Sequence, residues 1–158
     1  MPALHPTLRV RKATQDDMTD LMRVDGEAFP RDPYPRSVLS QFMDTFADHL
    51  RVVEDEGRLC GYVLATPPDR ARSWIFSLGV AKDSRGQGLG RRLMTETIQA
   101  LRDEGTATVL LWVEPGNKPA VALYESLGFV PSGDTVKDHF GPGEDRLLMT
   151  LTLSTARD

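Results

Sequence analysis

The segment from Arg85 to Gly90 constrains this chain more than any other feature, because three of its six residues are glycines. It follows an apolar run at 74–80 and precedes a helical pattern that begins near Leu89. Glycine takes positive φ at little steric cost and lets the backbone approach an anion closely. The helix that follows presents unpaired N–H groups and the positive end of its dipole. The segment therefore predicts a binding site for a pyrophosphate-bearing cofactor.

Two common phosphate-binding loops do not match this segment. A P-loop ends in Gly-Lys followed by Ser or Thr, whereas Gly90 is followed by Arg91 and Arg92. A dinucleotide fingerprint requires Gly-x-Gly-x-x-Gly and an acidic residue about 20 residues further on. The second gap between glycines is one residue short here, and the next acidic pair, at 103–104, falls at the end of the helix. Both of these nucleotide-binding interpretations are therefore weak.

A second informative segment follows the glycine loop. Residues 108–113 have the pattern of a strand, and a helical pattern begins at Asn117. Asn117 is a suitable cap for this helix, whose first turn tolerates proline, and Gly128 supplies a left-handed stop. Tyr124 and Ala120 lie on its apolar face. A tyrosine in such a place usually serves core packing, so its position relative to the other motifs decides whether it has a chemical role.

Both segments resemble the GNAT superfamily of N-acetyltransferases. The loop matches the family's Arg/Gln-x-x-Gly-x-Gly/Ala pattern, and residues 117–129 match its Asn-x-x-Ala-x-x-x-Tyr-x-x-x-Gly-Phe segment. The resemblance implies an α/β fold with a mixed, strongly twisted central sheet of six to seven strands and about four flanking helices. It also implies a splayed strand pair that holds acetyl-CoA.

The predicted elements follow the order of that fold along nearly the whole chain. Strands are predicted at 8–12, 50–55, 59–65, before the glycine loop, at 108–113, from Phe129, and at 146–153. Helices are predicted from Thr14, at about 37–47, at 89–104 and at 117–127. A tight hairpin is expected at Glu56-Gly57.

The resemblance also implies a set of cofactor-binding residues, with coenzyme A as the product. Backbone groups of Leu78 and Val80 would pair with the pantetheine arm like an added strand, and residues 85–91 would hold the pyrophosphate. Gly79 stands where the family usually has alanine, which would bring the backbone closer to the thioester. The full set is Leu78, Gly79, Val80, Arg85, Gly86, Gln87, Gly88, Leu89, Gly90, Arg91, Asn117, Ala120 and Tyr124.

The resemblance makes Tyr124 the general acid for the departing thiolate, whereas the general base is harder to assign. The positions of the family's glutamates align with Trp74 and Trp112. Glu114 lies on the same strand face as Trp112, two residues further on, and is one candidate base. Glu27, on the first helix, is the other. For each, a solvated surface carboxylate is favoured over a catalytic role.

The closing segment resembles one branch of the family. Residues 136–149 are similar to the end of the ribosomal-protein alanine N-acetyltransferases of the RimI type, in which an aromatic pair precedes Gly-Glu-Asp-x-x-x-Met. His139 and Phe140 stand where two tyrosines would be expected. The loop from Phe29 to Pro35 and the loop with His139 and Phe140 would form the walls that position a peptide. The candidate substrate-binding residues are Phe29, Tyr34, His139 and Phe140.

The implied acceptor is a peptide or protein amine, preferably an N-terminal α-amine. The pKa of an α-amine is about 7.7–8.0, so part of it is neutral at neutral pH, whereas a lysine with a pKa of about 10.4 is almost entirely charged. An α-amine therefore needs less help from a base. A lysine, a small amine such as a polyamine or an aminoglycoside, and an acyl-CoA-binding module without turnover remain as alternatives.

Composition limits the remaining possibilities. The net charge of −4 argues against nucleic acid as the main ligand. The single cysteine, Cys60, fits a reducing cytoplasm and core packing. The sequence has no apolar run of about 18 residues, so no membrane span is expected, and no leader is recognised. The three histidines are too scattered to suggest a metal site.

The length of 158 residues fits one domain. We expect a single domain at 7–154, with a flexible N-terminal tail at 1–6 and a C-terminal tail at 155–158. Monomer and homodimer are both compatible with the sequence.

Overall fold

The computed structural model describes residues 7–153. The two predicted tails and residue 154, the last residue of the predicted domain, lie outside this range. The helices in this range are α1 (Met18–Ala28), α2 (Arg36–Thr45), α3 (Leu89–Asp103) and α4 (Lys118–Ser126). The strands are β1 (Leu8–Lys12), β2 (Leu50–Asp55), β3 (Arg58–Ala65), β4 (Arg72–Val80), β5 (Thr108–Val113), β6 (Val130–Pro131) and β7 (Leu147–Thr152). No helix in the described part of the chain is long and apolar enough to cross a membrane.

The chain forms two compact units. The first comprises residues up to Ala65 together with Ser77–Thr97, and the second comprises Thr66–Phe76 together with the residues from Ile98 onward. Strand β4 and helix α3 each contribute residues to both units. The single domain at 7–154 stays a prediction.

The first unit contains an antiparallel arrangement of β1, β2 and β3. Val10 pairs with Val53, and Val52 pairs with Tyr62. The turn between β2 and β3 has positive φ at Glu56 and Gly57, 52° and 84°, which is the conformation of the predicted tight hairpin. Buried side chains of α1 and α2 complete a hydrophobic core with these strands, among them Leu21, Val24, Leu39, Met43, Leu50, Leu59 and Leu64.

The second unit contains the first residues of β4 and strands β5 to β7. β4 pairs in parallel with β5 from Arg72↔Thr108 to Ile75↔Leu111. A parallel pair needs a long crossover connection, which here includes α3. β5 pairs antiparallel with β7, and β7 with β6.

The strand order is β1-β2-β3-β4-β5-β7-β6, a mixed seven-stranded sheet. This order and the four helices confirm the predicted fold class. The paired register of β4 with β5 ends at Ile75↔Leu111, whereas β4 itself continues to Val80. The splayed strand pair that would hold acetyl-CoA stays a prediction.

Two predicted elements differ from those observed. Residues Gln15–Asp17 form a 3₁₀ turn before α1 begins. The Asp17 carboxylate accepts a 2.7 Å hydrogen bond from the Thr14 N–H and pairs with Arg11 at 2.8 Å, which holds this turn. The strand predicted from Phe129 is reduced to two residues, and its second residue, Pro131, has no N–H to donate to a ladder.

Candidate active site

The glycine-rich loop leaves backbone exposed next to the start of a helix. Gly86 and Gly88 have φ of 79° and 77°, and a Cβ added at either would meet nothing within 4 Å. Leu89 is buried and anchors the first turn of α3, and the Arg92 N–H donates a 3.0 Å hydrogen bond to the Gly88 carbonyl. An open backbone at a helix N-terminus is the arrangement that phosphate groups require. The loop therefore fits a pyrophosphate.

The packing around Gly79 explains why this position is glycine. A Cβ at Gly79 would lie 2.8 Å from Cε1 of Tyr62 and 3.1 Å from Cβ of Ala28. Real Cβ atoms essentially never make the first of these contacts, and the tyrosine ring is fully buried. The aromatic ring of β3 therefore occupies the space of the missing methyl group. This is a different reason for the glycine from the closer thioester contact that the sequence suggested.

Glu27, one candidate base, is engaged in holding the start of the glycine loop. Its Oε1 accepts a 2.9 Å hydrogen bond from the Lys82 N–H, and its Oε2 lies 3.5 Å from Nη1 of Arg23. Arg85 donates a 2.9 Å hydrogen bond to the Glu27 carbonyl. The Lys82 hydrogen bond, more than the nearby cations, lowers the pKa of the Glu27 carboxyl. A lowered pKa makes Glu27 a weaker proton acceptor.

A polar cluster in the first unit was not identified from the sequence. The phenol of Tyr62 donates a short hydrogen bond to the Asp25 carboxylate and lies 2.7 Å from the hydroxyl of Ser77. Burial raises the pKa of Asp25, although the hydrogen bonds from Tyr62 and from the Tyr34 N–H oppose that shift. A detectable signal existed, because Asp25 is four residues after Leu21, on the apolar face of α1.

The predicted substrate residues of the first unit differ in exposure. Phe29 follows α1 and is exposed. Tyr34 is half-buried, its ring packs edge-on against Phe42 with centroids 5.2 Å apart, and its N–H donates a 2.7 Å hydrogen bond to Asp25. Tyr34 therefore fixes its loop as well as offering a surface.

Tyr124, the predicted general acid, is buried on α4. Burial raises the pKa of its phenol to about 12. Its ring lies near Phe129, with centroids 5.8 Å apart, and its carbonyl accepts a 3.0 Å hydrogen bond from the Phe129 N–H. These contacts hold the ring and the backbone of Tyr124, and its raised pKa means that the phenol strongly retains its proton.

The start and end of α4 confirm the predicted helix signals. The Asn117 side-chain oxygen accepts a 3.3 Å hydrogen bond from the Ala120 N–H, which makes Asn117 the cap. Gly128 has φ of 102°, so it ends the helix in the left-handed region. These contacts position Tyr124.

Aromatic rings of the second unit form a row, defined here as Trp74, Trp112, His139 and Phe140. The ring centroids of Trp74 and Trp112 lie 6.5 Å apart, those of Trp112 and His139 lie 3.9 Å apart, and those of His139 and Phe140 lie 4.8 Å apart. The Arg146 guanidinium carbon lies 5.0 Å from the centre of the Phe140 ring. The two tryptophans thus form a row with the two predicted substrate residues.

The remaining predicted residues differ in exposure. Glu114 is exposed and directly follows β5. Leu78, Val80, Gly90 and Ala120 are half-buried, and Arg85, Gly86, Gln87, Gly88, Arg91 and Asn117 are exposed. The structure brings Glu27 together with the glycine loop in the first unit, and it brings His139 and Phe140 together with the tryptophans in the second.

Comparison with known proteins identifies the family. A model of the acetyltransferase (GNAT) family matches residues 12–129. The chain belongs to this family. It is 32% identical over 130 residues to a mycothiol acetyltransferase of Thermomonospora curvata, which covers 78% of this chain and 43% of that relative.

Two further likenesses concern ribosomal-protein alanine N-acetyltransferases. The chain is 39% identical over 84 residues to the ribosomal protein bS18 alanine N-acetyltransferase of Escherichia coli, which covers 51% of this chain and 55% of that relative. The chain thus spans about half the length of these two curated relatives. The crystal structure of the ribosomal-protein-S18-alanine N-acetyltransferase from Escherichia coli matches with a TM-score of 0.83 and 24% identity, over 96% of this chain and 97% of that chain. This structural likeness shows the fold.

Proposed function

We propose that this member of the GNAT family transfers the acetyl group of acetyl-CoA to the N-terminal α-amine of a peptide or protein. The observation that carries the proposal is the glycine loop. Gly86 and Gly88 have positive φ and open space around them, directly before α3 and inside the region that the family model matches. The Escherichia coli relative, named for the alanine of a ribosomal protein, supports a protein acceptor.

The residues of the first unit fit the proposed cofactor. Exposed backbone at 85–91 and the N-terminus of α3 would hold the pyrophosphate, and backbone groups of Leu78 and Val80 would bind the pantetheine arm. When bound, acetyl-CoA supplies an activated acetyl group. The contacts of Glu27 with Lys82 and Arg85 hold the start of this loop in place. We therefore assign Glu27 a positioning role and no longer favour it as the base.

Tyr124 would hold at Oη the proton that leaves with the thiol product. Its pKa of about 12 lies above the ordinary thiol value of about 8.5, a difference on the order of 5 kcal/mol. The transfer therefore needs an environment that also raises the proton affinity of the leaving sulfur. Burial in an apolar site disfavours a thiolate in the same way as it disfavours a phenolate.

The acceptor is proposed to meet the aromatic row. His139 and Phe140 are exposed, and the His139 ring lies against Trp112. Aromatic surfaces of this kind bind apolar and amide groups of a peptide chain with little loss of conformational entropy. The relative named a mycothiol acetyltransferase favours a second candidate, acetylation of a small amine such as a polyamine or an aminoglycoside.

A cytoplasmic location and a monomeric or homodimeric state complete the proposal. The single cysteine, Cys60, is buried and unpaired, which supports a location in a reducing compartment. No step of the proposed reaction depends on the oligomeric state.

Mass spectrometry of reaction products tests the proposal. The protein is incubated with acetyl-CoA and three separate acceptor sets: peptides with a free α-amine, N-blocked peptides with one lysine, and a mixture of polyamines and aminoglycosides. We expect the acetylated α-amine peptide as the main product. Exclusive acetylation of the third set would replace the proposal by the small-amine candidate, and no product in any set would contradict both.

A further inference from the structure

The polar cluster in the first unit is a continuous line of hydrogen bonds across three elements. Asp25 lies on α1, Tyr62 on β3 and Ser77 on β4. Tyr62 Oη contacts Asp25 Oδ1 on one side and lies 2.7 Å from Ser77 Oγ on the other. The second oxygen of Asp25 accepts a 2.7 Å hydrogen bond from the Tyr34 N–H. Both oxygens of the carboxylate are therefore occupied.

The chemistry of the three groups fixes the direction of this line. An ionised carboxylate only accepts hydrogen bonds, so the single phenolic proton of Tyr62 points to Asp25. Tyr62 Oη is then an acceptor toward Ser77, and the hydroxyl proton of Ser77 points to Tyr62. Lone pairs of Ser77 Oγ are left to accept a hydrogen bond from another group. When Ser77 Oγ takes up a proton, the Ser77 proton can move to Tyr62 and the Tyr62 proton to Asp25.

Burial increases along the line from Ser77 to Asp25. Asp25 and Tyr62 are each 1% exposed, whereas Ser77 is half-buried. Ser77 also directly precedes Leu78, the first residue assigned to the pantetheine arm. The line thus begins at the strand that would hold the cofactor and ends at a carboxylate removed from solvent.

The groups that act on Asp25 favour proton uptake. Desolvation is the largest influence and raises the pKa of this carboxyl, and the negative charge of Asp32 raises it further. The hydrogen bonds from Tyr62 and from the Tyr34 N–H act in the opposite direction. Burial and the Asp25 charge keep the pKa of Tyr62 well above its ordinary value, so Tyr62 passes a proton on only as it receives one.

We propose that Ser77, Tyr62 and Asp25 form a proton relay that deprotonates the acceptor amine. The amine proton moves to Ser77 Oγ, the Ser77 proton moves to Tyr62 Oη, and the Tyr62 proton moves to Asp25 Oδ1. One N–H bond is broken and one O–H bond is formed at Asp25, with no change in electron count. This inference rests on the proposed acetyl transfer and supplies the base that is missing at Trp74 and Trp112.

Asp25→Asn tests the relay, because the amide keeps the size of the side chain and cannot take up the proton. We expect kcat/KM for an α-amine peptide to fall by about 10-fold near neutral pH, the limit set by the fraction of its amine that is already neutral. The second acceptor is the same peptide with an electron-withdrawing substituent that leaves its amine neutral at the assay pH. This acceptor needs no base. For this acceptor the loss is expected to stay within about threefold. A merely structural role would lower both rates equally.

Asp17→Asn is the matched control. Asp17 is also a buried acid of the first unit, and it pairs with Arg11 outside the relay. Its substitution is expected to lower stability but to leave the ratio of the two rates unchanged. Ser77→Ala and Tyr62→Phe, which each break the line, are expected to reproduce the pattern of Asp25→Asn. They provide the test if the asparagine variant does not fold.

The pH dependence of protein stability gives a second readout, which does not require activity. The pKa of Asp25 in the folded protein is raised above the ordinary value of 3.8, so the folded state binds the proton more tightly than the unfolded state. Its contribution to stability is present below that ordinary value and is lost as the pH rises through the folded pKa. Stability of the wild type relative to Asp25→Asn should therefore fall as the pH rises from about 4. In activity assays, kcat/KM of the variant should follow the neutral fraction of the amine and rise with pH toward the amine's pKa.

The outcomes separate this relay from the acetyl transfer on which it rests. A wild type that acetylates α-amine peptides, together with a folded Asp25→Asn variant that keeps the wild-type rate and pH profile, would overturn the relay alone. An equal loss on both acceptors would also overturn it and would leave the network a structural role. A wild type that acetylates no amine would overturn the proposed function and the relay together.

Discussion

The ring centroids of Trp112 and His139 lie 3.9 Å apart. Trp112, the strand position at which the family resemblance predicted a glutamate, is therefore covered by an aromatic loop residue. Phe140 continues this contact outward and remains 58% exposed. The arrangement replaces a possible proton acceptor by an apolar surface. We therefore assign binding of the acceptor to this row and proton removal to other residues.

Truncation of Phe140 should weaken substrate binding more than it slows the chemical step. Phe140→Ala is expected to raise KM for the peptide by about 10-fold while kcat changes by less than about threefold, because the ring contributes uniform binding. Steady-state kinetics with saturating acetyl-CoA measures both values. Val130→Ala is the control, since Val130 is also 58% exposed in the same unit and lies outside the row. A lower kcat with unchanged KM would contradict the assignment.

The glycine loop should be essential for cofactor binding. Gly88→Val introduces a branched side chain where φ is 77° and the backbone is expected to contact the pyrophosphate. We expect coenzyme A affinity, measured by calorimetry, to fall by at least about 10-fold. Gly57→Val is the control, because it introduces the same strain, about 1–3 kcal/mol, in a hairpin of the same unit. If both variants bind coenzyme A with wild-type affinity, the cofactor assignment fails.

Loss of the Tyr124 hydroxyl should slow turnover without affecting cofactor binding. Tyr124→Phe keeps the ring against Phe129 and removes the proton, so kcat is expected to fall by about 10²-fold. Coenzyme A affinity should stay within about twofold. Ser126→Ala, which removes a hydroxyl from the same helix, is expected to keep wild-type kcat. Wild-type turnover of Tyr124→Phe would show that Tyr124 serves packing alone.

Two substitutions of Glu27 separate a positioning role from a catalytic one. Glutamine still accepts the hydrogen bond from the Lys82 N–H, so Glu27→Gln should keep kcat within about threefold of the wild type. Glu27→Ala removes the contact and should raise KM for acetyl-CoA. The rates are measured with acetyl-CoA varied at fixed peptide. A loss of about 10²-fold or more in the glutamine variant would restore Glu27 as the base.

Much of the fold follows from local sequence signals. The hairpin at Glu56 and Gly57, the Asn117 cap and the Gly128 stop were all predictable, because each depends on the conformational preference of one or two residues. The glycine loop and its helix are recognisable for the same reason. The length of strand β6 was not predicted. It has only two residues, because Pro131 has no N–H to continue the ladder.

The parts of the site that were missed depend on contacts between distant residues. Asp25 and Tyr62 are 37 positions apart, and Tyr62 and Ser77 are 15 positions apart, so no local pattern joins them. Trp74 and Trp112 become neighbours only through the parallel register of β4 and β5, in which Trp74 pairs with Leu110. Sequence periodicity places a residue on a face but does not set the register between strands.

The most direct test of the account is a competition between two acceptors in one reaction. Equal amounts of an α-amine peptide without lysine and an N-blocked peptide with one lysine, otherwise of the same sequence, are incubated with acetyl-CoA near neutral pH. The two products are quantified by mass spectrometry. We expect the acetylated α-amine to dominate, by up to the ~10²-fold ratio of the neutral fractions of the two amines. Equal amounts of both products, or acetylation of neither peptide, would contradict it.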